Sequence, residues 1–135
     1  MTATSPAERL ELLRLTGLNT VLTPGSRCTP AVAGLPAPAD PDALAVTWSV
    51  LDCQGSVLAP GLAFAAPRGL AGPQLDVVFQ PEVVEAGDEP PAPLLRTVRA
   101  TVTLRDTRRP GRPVTVTRVL AAAVQVLPLR LRAAA

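Results

Sequence analysis

The sequence predicts an all-β fold in a single domain, and three observations predict it. Sixteen prolines and nine glycines cut the chain into runs of strand length and leave no room for a long helix. The runs between them alternate apolar and polar residues with a period of two, the spacing of a strand with one buried face. At 135 residues the chain has the length of one ordinary domain, enough to bury a core without metals or a dense set of disulfides.

The elements follow in chain order. Ser5, Pro6, Ala7 and Glu8 form a capping-box pattern with proline at the first helical position, while Leu13 and Leu15 against Arg14 and Thr16 suit a strand. The combination predicts an arm over residues 1–8, a short turn or helix at Pro6 to Arg9, and a strand ending near Gly17. A proline-rich linker covers Gly34 to Pro41. In Leu44 to Leu51, Leu44, Val46, Trp48 and Val50 alternate with Ala45, Thr47 and Ser49, which is a half-buried strand. Leu62, Phe64 and Ala66 mark a shorter strand, as do Leu75, Val77 and Phe79. After a second linker at Pro90 to Pro93, Val98, Ala100, Val102 and Leu104 take one face of a strand. Thr97, Arg99, Thr101, Thr103 and Arg105 take the other face and meet water or a partner. The final strand runs through Val114, Val116, Leu120, Ala122, Val124 and Val126, then shifts phase at Pro128, where a bulge or a strand end is expected. Residues 128–135 form that strand's end or a tail.

Seven or eight short antiparallel strands with turn signals between them point to a β-sandwich, in which two sheets bury alternating residues against each other. A small barrel is the alternative. The expected core comprises Val46, Trp48, Val50, Leu75, Val77, Phe79, Val98, Val102, Leu104, Val116, Leu120 and Val124.

Val46-Thr47-Trp48-Ser49-Val50, Gly55-Ser56-Val57, Gly61 to Pro67, Leu75 to Phe79 and Ala100 to Leu104 together resemble bacterial immunoglobulin-like domains. These are the modules of surface adhesins and phage structural proteins. The resemblance covers about the middle two-thirds of the chain and rests on degenerate motifs. It implies an immunoglobulin-like sandwich with Trp48 between the sheets, and a role in adhesion, spacing or assembly with no fixed ligand. The chain departs from antibody-type domains in that Cys53 lies too soon after Trp48 to bridge to a late strand.

Composition narrows the function. With no histidine, tyrosine or lysine, the chain lacks the commonest general base, the phenolic acid and the Schiff-base amine, so no catalytic residue is expected. Two cysteines without histidine cannot complete a tetrahedral metal site, and no metal or cofactor is expected. Cys28 and Cys53 read as thiols rather than a disulfide; Asp52 beside Cys53 reads as a turn residue, and Asp40 and Asp42 around Pro41 as a turn start rather than a calcium loop. Thirteen arginines against eleven carboxylates give a net charge of +2, far from the balance of a dedicated nucleic-acid binder. Residues 1–17 show no export signal, and the apolar run Val119 to Leu129 is broken by Gln125 and Pro128 and too short to span a bilayer. The protein is expected in the cytoplasm at synthesis.

Only 18% of residues are charged while 47% are hydrophobic. Either neighbours cover part of the surface, or the composition follows from a coding bias that favours alanine and arginine. Two charged segments stand out as candidate contacts. Arg105, Arg108, Arg109 and Arg112 surround Pro110-Gly111, at the tip of an expected hairpin, and Glu82, Glu85, Asp88 and Glu89 precede the second linker. Their opposite charge suits a head-to-tail contact between copies, while a solvated loop explains either segment without function. These features predict a non-enzymatic structural or interaction subunit. Its expected partners are copies of itself or a larger assembly such as a virion, with neither nucleic acid nor membrane among them. The alternative is a stand-alone adhesion or glycan-binding module.

Overall fold

The structure is a computed structural model describing residues 10–18, 21–23, 26–37, 41–61, 63–80, 83–85, 94–106, 114–127 and 129–131. Its strands are β1 (Arg14–Thr16), β2 (Val21–Leu22), β3 (Arg27–Cys28), β4 (Ala31–Ala33), β5 (Leu44–Leu51), β6 (Phe64–Ala65), β7 (Val77–Phe79), β8 (Val83–Glu85), β9 (Leu94–Asp106), β10 (Val114–Val126) and β11 (Leu129–Leu131). A 3-10 turn over Pro41–Ala43 leads into β5. The protein is all-β, as the alternation and the punctuation predict. Helical backbone occurs at Leu10 and Glu11, where the Leu13 amide donates to the Leu10 carbonyl; the expected cap at Ser5 to Arg9 lies outside the described residues.

Four strands form the largest sheet in the order β2-β10-β9-β5, and β3-β7-β6 form a second. β1 pairs with β4, and β8 with β11. The hairpin of β9 and β10 is in continuous antiparallel register from Val114 opposite Asp106 to Val126 opposite Leu94. One stretch, Leu70 to Phe79, bonds to both main sheets. Ala71 pairs with Thr47 of β5, Gln74 with Ala31 of β4, Val77 and Val78 with β3, and Phe79 with Phe64 of β6.

The expectation of seven or eight strands, all antiparallel, needs correction. Among the described residues there are eleven segments, and β2 runs parallel to β10 and β8 parallel to β11. Antiparallel pairing follows automatically only where a tight turn joins two strands. β2 and β10 are separated by most of the chain, so direction is set by how the chain crosses after β1. Gly17, with φ of 75°, turns it there. A Cβ at Gly17 would lie 2.5 Å from the Thr29 carbonyl oxygen, so the turn requires glycine on steric grounds as well as conformational ones.

Val46, Trp48 and Val50 of β5, Val98, Ala100, Val102 and Leu104 of β9, Val124 of β10, and Leu75, Val77 and Phe79 are all buried in one cluster. Phe64, Cys28, Val32, Leu22, Leu10 and Leu13 join them from the shorter elements. Two expected core residues, Val116 and Leu120, are only half-buried. The cause lies between them. Arg118 shares their inward phase on β10, and its guanidinium donates to the Leu10 carbonyl; a guanidinium keeps its access to water, and so do its neighbours.

Trp48 is 4% exposed and faces Ala100 across β5 and β9, a small partner that leaves room for the ring. Its indole N–H donates to the Gly72 carbonyl at 2.7 Å, which removes the cost of burying that donor. Trp48→Ala is expected to destabilise the fold by about 3–5 kcal/mol, measured by denaturant unfolding; a loss under about 1 kcal/mol would mean that the ring is not the centre of the core.

Candidate functional site

The described residues bring together two surfaces able to do something: a sheet face and a cleft. The sequence singled out neither as a site.

The two charged segments it did single out are barely described. Arg108, Arg109 and Arg112 lie outside the described residues, as do Glu82, Asp88 and Glu89. Arg105 is exposed on β9 near the expected hairpin turn. Glu85 is in β8, opposite Leu131 of β11.

The turn after β5 was legible in the sequence. Asp52 Oδ1 accepts the amides of Gln54 and Ser56, both at 2.9 Å, and its carbonyl accepts the Gly55 amide. The carboxylate is thus spent on the backbone, as the turn reading requires. Cys53 is exposed on that turn, whereas Cys28 is buried in the core with its thiol donating to the Gly17 carbonyl at 3.4 Å. Asp42 is exposed in the 3-10 turn, and Asp40 lies outside the described residues. Among the described residues no three histidine, cysteine or acidic side chains group to hold a metal, and no helix is long and apolar enough to cross a membrane.

The sheet face is the outward side of β5, β9 and β10. β10 presents Thr115, Thr117, Val119, Ala121, Ala123 and Gln125, all exposed. In register beside them β9 presents Leu95, Thr97, Arg99, Thr101, Thr103 and Arg105, and β5 adds Ala45, Thr47 and Ser49. Only Arg99 and Arg105 on these rows are charged, and Arg99 is tied sideways to the sheet by its Nε donating to Ser49 Oγ at 3.0 Å. Val119 is 55% exposed, and at one end of the face Val21, Leu95 and Leu127 are exposed as well.

The cleft has a volume of about 490 Å³ and is lined by Arg27, Thr29, Arg68, Gln74 and Asp76 around the backbone of Ala71 to Pro73. Each wall is fixed by local structure. Arg27 and Asp76 sit on and beside the β3–β7 pair, with Arg27 Nε 2.9 Å from Asp76 Oδ1. That oxygen is sealed from water and has no directional hydrogen bond, so the pairing is Coulombic. Arg68 lies in the turn Ala66-Pro67-Arg68-Gly69, closed by the Gly69 amide on the Ala66 carbonyl at 2.9 Å, with proline and glycine where such a turn favours them. The floor is pinned by Trp48, whose indole and backbone amide bond to Gly72 and Leu70.

Compared with known proteins, the chain matches no family, no curated protein and no solved structure.

The thiols provide a direct check of this arrangement. Cys53, which is exposed, is expected to react with a thiol reagent in the native protein, and Cys28 only on global opening. Two thiols labelled at equal speed in the native protein would contradict the burial of Cys28.

Proposed function

We propose that the chain is a non-enzymatic, immunoglobulin-like β-sandwich that acts as a structural subunit by pairing the outward face of β5, β9 and β10 with the same face of a second copy. The strand order supports the sandwich. β2-β10-β9-β5 form one sheet and β3-β7-β6 another, and Trp48 on β5 belongs to a buried cluster that takes residues from both, as a sandwich that buries its tryptophan between two sheets would require.

The observation that carries the function is the near absence of charge on that face. A face meant only for water, on strands of thirteen residues, ordinarily carries charges of both signs; here it carries threonine, alanine and exposed valine. At about 3.3 Å per residue and about 4.8 Å between strands, the three strands present roughly 540 Å². Two such faces bury roughly 1,100 Å², the low end of specific interfaces and a size found in transient rather than obligate contacts. In an antiparallel pairing the two Arg105 side chains stand at opposite ends and do not repel. Larger assemblies, a virion among them, would use the same face together with the charged segments.

Sedimentation across a concentration series tests this. The parent is expected to dimerise and to remain dimeric at about 1 M salt, where exposed charges are screened within about 3 Å. Val119→Glu with Ala121→Glu is expected to weaken the dimer at least about tenfold while changing stability by no more than about 0.5 kcal/mol. A parent that stays monomeric at high concentration refutes the proposal. Association abolished by salt assigns the contact to the charged segments instead.

A further inference from the structure

We infer that the cleft between the β3–β7 pair and the Ala66–Gly69 turn is a binding site for a polyhydroxylated carboxylate, the chemistry of an acidic sugar. Its volume of about 490 Å³ lies within the range of roughly 300–1,000 Å³ typical of small-ligand sites. The polar groups are mixed in a way that selects among ligands. Arg27 is 59% exposed despite its contact with Asp76, and Arg68 is exposed. Neither makes another hydrogen bond or ion pair among the described residues. Two guanidinium forks on one cleft favour a planar carboxylate, which each can bind in bidentate fashion.

Asp76 makes the choice sharper. Its side chain is 12% exposed and also lines the cleft. A bare anion gains from the arginines but is repelled by this carboxylate, and offers it no proton. A sugar acid presents its carboxylate to the arginines and hydroxyl donors to Asp76, with Gln74 and Thr29 able to donate or accept beside them. No aromatic side chain lines the cleft, so recognition rests on charge and hydroxyl pairing rather than on stacking. The walls are held by backbone pairing on both sides: Val32 to Pro73, Leu75 to Pro30, and Trp48 to Leu70. The backbone of the walls therefore needs little ordering on binding.

Titration calorimetry with glucuronate, a short uronate oligosaccharide, the same oligosaccharide as its methyl ester, inorganic phosphate and a glutamate-rich peptide tests the assignment. The uronates are expected to bind, the oligosaccharide more tightly if the cleft reads a chain and equally if it reads one ring. Esterification is expected to weaken binding about tenfold or more, as is Arg68→Gln, each removing a charge-assisted pair. Asp76→Asn is expected to weaken uronate while strengthening phosphate. Val119→Glu, on the other surface, should leave binding of glucuronate itself unchanged, so failure here is separable from failure of the dimer. Circular dichroism confirms that each variant folds. The inference is overturned if acid and ester bind alike, if neither uronate binds, if Arg68→Gln has no effect, or if phosphate or the acidic peptide binds as well as uronate.

Discussion

Burying an indole poses two problems together, a large ring to enclose and an N–H to satisfy, and the bond from Trp48 to the Gly72 carbonyl resolves the second by recruiting a distant segment. That segment then determines much else. Once Gly72 is drawn to β5, with its own amide on the Val46 carbonyl, the edge of β5 is covered and protected from pairing with other chains. The residues that follow continue along β4 and β3 to reach Phe64. A single stretch therefore bonds the edge of one sheet and the strands of the other, and the cleft is the hollow where it passes between them.

How much of this was legible in the sequence depended on strand length. β5, β9 and β10 show several successive turns of a two-residue period, so their phase is unambiguous, and their inward residues form half of the buried core cluster. β2, β3 and β4 have two or three residues each, flanked by prolines such as Pro24 and Pro30; no period can be seen in a pair of residues. Leu22, Cys28 and Val32 were missed as core for that reason. What places them is pairing with residues far along the chain, and local pattern carries no record of that. Leu10 and Leu13 were ambiguous between helix and strand, and they are buried as the residues on either side of a short turn that the Leu13 amide closes on the Leu10 carbonyl, which also accepts from Arg118.

The two surfaces differ in the same way. The sheet face was readable as a face, because Thr97 to Arg105 alternates so cleanly that one side had to meet water or a partner. Its lack of charge became visible only when β10 and β5 were set beside β9 in register. The cleft had no sequence signature at all. Arg27, Arg68 and Asp76 are isolated charges in separate segments, each unremarkable as a solvated side chain, and only the path of Leu70 to Phe79 brings them together. Runs of like charge attracted attention in the sequence because they are local, yet convergence of single charges is what builds a site.

The two surfaces also bear on each other. The cleft adjoins the outward face at the edge of β5, where Ala71, which lines the cleft, pairs with Thr47 of that face. A polar cleft of exposed arginines gains little per contact, because water and salt compete for each pair, so the proposed binding of an acidic sugar to one copy would be weak. Two copies held by the proposed pairing would present two clefts at fixed separation, and a polymeric ligand engaging both would gain through effective concentration without any new contact. Weak association through the face and weak recognition in the cleft are in that case mutually reinforcing: each raises the occupancy of the other by linkage, which a monomer with a single deep pocket would not need.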